Sequence, residues 1–155
     1  MGRVVSIVYT PRDVEWRRPP GRYARVPADR VTLVASRGLD GDAKAGGTRQ
    51  LTVMFAEVMS GLGAEGFKTA PGELGEQVVV EGLDTAAVVE GVRVRLGAAV
   101  IEVGIPRTGC ARFEAIQGKP RGLAKGRLGV LATVVSGGAV AVGDPAEVLP
   151  AGGGS

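Results

Sequence analysis

Apolar runs in this chain are short, and glycine-containing turns separate most of them. Residues 4–9, 31–35, 50–55, 78–81, 92–96, 99–103, 130–135 and 139–142 are rich in valine, isoleucine and leucine. Seven or more short strands at this spacing predict a barrel or a sandwich. Helical signals are few: residues 56–62 fit a short helix closing at Gly63, and residues 113–117 fit a further turn or two. No helical pattern of ten or more residues recurs between strands, so βαβ units are not expected. The run Val92-Arg93-Val94-Arg95-Leu96 alternates with period two, which turns one face to the core and the arginines to solvent. Hairpins are expected at Gly97, between 92–96 and 99–103, and at Ser136-Gly137-Gly138, between 130–135 and 139–142. The fold class is mainly β.

At roughly 100–200 residues per domain, 155 residues predict one domain, here 1–149 with a flexible tail at 150–155. Glycine (26) and proline (9) suit a turn-rich β fold, and an apolar content of 45% with a net charge of +3 argues against disorder. Absent residues narrow the chemistry further. The chain has no histidine, which excludes a His-based triad or a His zinc ligand. One cysteine excludes an internal disulfide, a C-x-x-C redox pair and a cysteine zinc site. No apolar run approaches the ~20 residues of a membrane helix. The opening Met1-Gly2-Arg3-Val4-Val5-Ser6 fits the myristoylation pattern only by accident, because it runs straight into a strand. A cytoplasmic location and no membrane partner are expected.

Charge is uneven along the chain. Residues 1–50 carry ten basic and five acidic groups, 51–104 three and eight, and 105–155 six and three. An anionic small-molecule ligand fits between the two basic blocks. The basic residues are not interleaved with stacking aromatics, so no nucleic-acid partner is expected. Two glycine patterns carry no nucleotide site. In Gly61-Leu-Gly63-Ala-Glu-Gly66 a helix, not a strand, precedes the glycines. Gly41-Asp-Ala-Lys-Ala-Gly46 lacks the Lys-Ser/Thr pair of a phosphate loop.

The candidate chemistry converges on Cys110, in Ile105-Pro-Arg-Thr-Gly-Cys-Ala-Arg112. Arg107 and Arg112 flank it, Pro106 and Gly109 predict an irregular turn, and a helix start follows. Nearby cations and helix N–H groups favour a thiolate, and a thiolate suits sulfur transfer or a soft metal. A small buried hydrophobe is the plain alternative. A second candidate segment, Gly38-Leu-Asp-Gly-Asp-Ala-Lys-Ala-Gly-Gly47, leads into Thr48-Arg49-Gln50. It is either a turn or a pocket wall on which Asp42, Lys44 and Arg49 meet an anion. The third is Pro71-Gly-Glu-Leu-Gly-Glu-Gln-Val78, where Glu76 is expected at the rim of a strand, orienting an arginine or a pterin amine.

Taken in order, these segments resemble the MOSC domain, named for the C-terminal part of molybdenum cofactor sulfurases. The resemblance runs through G-L-D-G-D-x-K-A-G, R-Q-L-T-V, P-G-E-L-G-E-Q, G-L-D, V-R-V-R-L-G-x-A-x-I-E-V, P-R-T-G-C and G-G-x-V-x-V-G-D, from about Val31 to Leu149. It implies a MOSC-type β-barrel with a few short helices and a pocket holding Cys110. It carries Gly41 and Asp42 onto the family's G-D step, Glu76 onto its G-E-N segment, and Arg107 with Cys110 onto its cysteine loop. Lys44 stands where many members have histidine, and Gln77 where asparagine is common.

Three functions follow as expectations. In the first, the chain binds molybdenum cofactor in a basic pocket, with Cys110 as molybdenum ligand and Asp42, Lys44, Arg49, Glu76, Arg107 and Arg112 around the pterin. Relatives extend this to reduction of N-hydroxylated compounds, for which an outside electron-donor protein is needed. In the second, Cys110 carries persulfide received from a separate cysteine desulfurase, since no pyridoxal phosphate site is expected on this chain. In the third, the cysteine is buried and structural in a non-catalytic binding domain.

Overall fold

The computed structural model describes residues 1–11, 26–42, 46 and 50–150. The expected loop around Trp16 and all but Pro150 of the expected tail lie outside the described residues. Eleven strands and two α-helices stand among those described: β1 (Gly2–Tyr9), β2 (Val26–Pro27), β3 (Arg30–Val34), β4 (Gly38–Leu39), β5 (Leu51–Phe55), α1 (Ala56–Ala64), β6 (Val78–Glu81), β7 (Arg93–Leu96), β8 (Ala99–Pro106), α2 (Ala111–Gln117), β9 (Val130–Ser136), β10 (Gly138–Ala141) and β11 (Pro145–Val148). Single 3₁₀ turns fall at Thr85–Ala87 and Arg121–Ala124.

Seven strands close into a barrel in the order β11-β7-β8-β9-β5-β6-β1, and β1 pairs back to β11 through Gly2↔Ala146. Closure leaves these strands without open edges. β2 adds to β1 outside the ring, and β10-β3-β4 form a separate small sheet. Side chains alternate between two compartments because strand side chains alternate faces. Leu51, Val53 and Phe55 of β5 and Val78 and Val80 of β6 point into the barrel core with Val94, Leu96, Ile101 and Val134. Met54 and Val79 point the other way, into a second cluster with Leu62, Phe67, Leu74, Phe113 and Leu128. That outer cluster seats both helices against β5 and β6.

The alternation expected for residues 92–96 holds: Val94 and Leu96 are buried and Arg95 is exposed. β7 and β8 form the expected hairpin across Gly97, whose φ is 55°. Three expectations need correction. β5 and β6 are parallel, joined by α1 and residues 65–77, so one βαβ-like crossover exists after all. A nine-residue helix suffices because the following loop completes the return. That helix runs through Gly61 and Gly63 to Ala64, and the chain turns at Gly66, with φ 92°.

The hairpin expected between β9 and β10 does not form. β10 leaves β9 and pairs antiparallel with β3, Val140↔Val31. The glycine pair allows a close crossing, not a tight turn. A Cβ at Gly137 would lie 2.7 Å from the Leu33 carbonyl oxygen, and one at Gly138 would lie 2.5 Å from that of Ala98. Glycine content signals the strand end but not the partner.

Candidate functional site

β8 extends beyond its expected end at Val103 to Pro106 and delivers the chain to the outer face of the barrel. The Arg107 N–H donates to the Gly129 carbonyl at 3.0 Å, which anchors the departing segment to the start of β9. Gly109 then packs so tightly that a Cβ there would sit 2.9 Å from Cβ of Arg121 and 3.2 Å from Phe113. Only glycine fits that contact. Cys110 follows in extended backbone (φ −138°, ψ −179°) as the N-cap residue of α2. Its carbonyl accepts from the Glu114 N–H at 3.1 Å, the first hydrogen bond of the helix. Gly118 ends α2 in the left-handed conformation, φ 66°.

Cys110 is exposed. The expectation of a buried thiol, in the third reading, is therefore corrected: Cys110 caps a helix start that is open to solvent.

Beneath this segment lies the loop of residues 70–76. Arg107 is buried, and its guanidinium donates to the Leu74 carbonyl. Glu76 is only 1% exposed, so it is buried and does not stand at an open rim as expected. Its two oxygens accept from the backbone N–H groups of Gly72 (2.8 Å) and Leu74 (3.2 Å). The turn Pro71–Gly75 has no regular ladder for those N–H groups, so the carboxylate of the next residue takes them. Leu74 is thus held by an arginine at its carbonyl and by a glutamate at its N–H.

Gln117, at the far end of α2, fastens the same loop. Its Oε1 accepts from the Lys68 N–H at 2.7 Å, and its Nε2 donates to the carbonyls of Lys68 (2.9 Å) and Glu73 (3.2 Å). Sequence reasoning missed Gln117, since one buried glutamine in a short helix carries no pattern. On the exposed side, the Glu114 carboxylate accepts from the Arg121 N–H (2.9 Å) and guanidinium (3.2 Å). The Arg121 backbone N–H, and secondarily its guanidinium, hold the Glu114 carboxyl below its usual value of 4.5. Arg127 does the same for Glu65 through a two-pronged hydrogen bond, and its own pKa is raised in return.

Asp42 is completely buried and accepts from the Thr10 N–H at 3.0 Å. It ties the turn after β4 to the end of β1, where the Val8 N–H donates to the Gln77 carbonyl. Glu76 and Arg107 thus meet at Leu74, and Cys110 follows Arg107 by three residues. Lys44 and Arg49 lie outside the described residues, as does the side chain of Arg112 in the first turn of α2. Two clefts bounded by described residues lie elsewhere. One, of about 300 Å³, is lined by Phe55, Val88, Pro106, Arg127 and Val130; the other, of about 400 Å³, is lined by Arg3, Glu57 and Glu81. Cys110 lines neither. Among the described residues no three His, Cys, Asp or Glu side chains gather to hold a metal, and no helix is long and apolar enough to cross a membrane.

Comparison with protein-family models matches the MOSC domain over residues 40–147, which takes in the 70–76 loop, the cysteine segment and most of the barrel. The chain belongs to the MOSC domain family. MOSC domains are linked in general to molybdenum cofactor binding or sulfur transfer. Solved structures agree with the fold. The YuaD protein of Bacillus subtilis superposes with a TM-score of 0.75 at 21% identity, over 96% of each chain. YiiM from Escherichia coli gives 0.70 at 25% identity, over 96% of this chain and 70% of that one. YiiM from Geobacillus stearothermophilus gives 0.74 at 20% identity, over 99% and 78%. A comparison with curated proteins finds no match.

Proposed function

We propose that this MOSC domain binds molybdenum cofactor on the face that carries Cys110, with the Cys110 sulfur as a ligand of the metal. One observation carries the reading: the only thiol of the chain is exposed at the N-cap of α2, on a segment that Arg107 ties to the Leu74 carbonyl. The residues present fit the group. A soft thiolate suits molybdenum, and Cys110 is the one thiol the chain has to offer it. Arg107, Arg112, Lys44 and Arg49 are the cations proposed for its phosphate, since guanidinium forks match phosphate oxygens. Asp42 and Glu76 act indirectly in this account: Asp42 ties the turn after β4 to the end of β1, and Glu76 fixes the loop whose Leu74 carbonyl takes the Arg107 guanidinium.

Bound there, the cofactor would supply oxygen-atom transfer, as in reduction of N-hydroxylated compounds, with electrons from a separate donor protein. The chain's own work is to present one sulfur in a fixed position, to hold the phosphate and to keep the loop beneath it from moving. The domain is proposed to act as one unit over residues 1–149, in the cytoplasm.

The exposure of Cys110 also favours a second reading, persulfide carriage. The Cys110 thiolate would attack the outer sulfur of a desulfurase persulfide. That sulfur–sulfur bond breaks, the donor cysteine leaves as thiolate and takes up the proton that Cys110 lost, and no net oxidation occurs. Metal and pterin analysis of the protein purified from a cofactor-competent host separates the two. Cofactor binding predicts molybdenum and pterin in the native protein and their loss in Cys110→Ser. Retention by the variant would remove thiolate ligation, and a sulfur adduct on Cys110 after incubation with a desulfurase and cysteine would favour carriage.

A further inference from the structure

The barrel core opens at one place. Its buried residues are at most 4% exposed except Phe55 at 6%, Val88 at 7% and Val130 at 8%. All three line the same cleft, of about 300 Å³. Phe55 is the last residue of β5, and Val130 is the first of β9, where it pairs with Pro106 at the end of β8. These three strands are neighbours, so the cleft marks the end of the barrel at which they stop. Gly126 and Gly129 bring no side chain to the opening, and Leu128 between them turns to the outer cluster. The core is therefore left unplugged there.

Charge and size narrow the occupant. Arg127 is the one charged residue lining the cleft among the described residues, and it is engaged. Its two terminal nitrogens donate to the Glu65 carboxylate, and Nη2 donates to the Leu123 carbonyl as well. A charged occupant has to compete with that pair, whereas an uncharged one leaves it intact. An apolar cavity of about 150 Å³ takes up benzene, so twice that space suits one or two rings. Protein partners cover roughly 20–30 residues a side, whereas ten residues line this cleft.

We propose that this cleft binds a small uncharged molecule built on one or two aromatic or alicyclic rings, at a site that Cys110 does not line. The ligand displaces water from Phe55, Val88 and Val130 and completes the burial that the strand ends leave unfinished. The proposal is independent of what Cys110 does.

The full chain is titrated by calorimetry with indole and with naphthol, both uncharged, and with naphthoate, which carries a carboxylate. An uncharged compound binds saturably at one site, with a dissociation constant on the order of 100 µM or tighter. Naphthoate binds about fivefold or more weakly, because its carboxylate is desolvated against a guanidinium already paired. On saturation the methyl resonances of Val88 and Val130 shift. Ala86 lines the cleft from an exposed position, and Ala86→Trp weakens binding about tenfold or more. Thr85→Trp, at the neighbouring exposed position, does the same should Ala86→Trp fold poorly. Failure of both uncharged compounds to bind, naphthoate binding as tightly as naphthol, or tryptophan variants with wild-type affinity overturns the proposal. A dimer of the wild type that Ala86→Trp dissociates would assign the cleft to a second copy and overturn it as well.

Discussion

Two residues singled out from sequence turn out to act by holding backbone. The Glu76 carboxylate satisfies two buried N–H groups and Arg107 one carbonyl, all on residues 72–74. Glu76→Ala strands both N–H groups, at about 1–3 kcal/mol each. Urea unfolding should show a loss on the order of 2–5 kcal/mol, and a loss below about 1 kcal/mol would contradict the clamp. The segment Pro-Gly-Glu-Leu-Gly-Glu-Gln marks Glu76 as special but leaves its burial open, since the same letters suit a solvated turn. Gln77 shows the limit more sharply. Its side-chain oxygen accepts from the Thr52 N–H at 2.9 Å, a contact set by the register of β5 against β6, Val53↔Val78, which pairs residues far apart in the chain.

At the scale of the element, α2 matters most, because its first turn begins at Cys110 and its last turn is pinned by Gln117. The exposed contact between Glu114 and Arg121 joins α2 to the following 3₁₀ turn. The carboxyl of Glu114 is held below 4.5 in the folded chain. Its contribution is therefore complete above about 4.5 and fades as pH falls through the lower folded value. Comparison of wild type with Glu114→Gln by urea unfolding should show a small difference near neutrality that shrinks below pH 4.5, the surface setting keeping it small. A difference that grows on acidification would contradict the assignment. The helix start beside Cys110 was legible because Gly109, Cys110 and the following residues break the β pattern. The pairing of β10 with β3 was not, because two adjacent glycines announce a change of direction and say nothing of its target.

Over the whole molecule, strand positions were legible because apolar runs and glycine punctuation are local. The order of the motifs carried the family, and the match over residues 40–147 agrees with it. Closure between β1 and β11 joins the two ends of the chain, and no window of sequence contains it. What that closed barrel achieves is to hold Cys110 outward on a segment anchored at Gly129 and Leu74. Iodoacetamide labelling of the native protein at neutral pH, followed by mass spectrometry, tests this most directly. The account predicts that Cys110 reacts in the folded state at least as fast as in urea-unfolded chain. Protection by an order of magnitude or more on folding would contradict it.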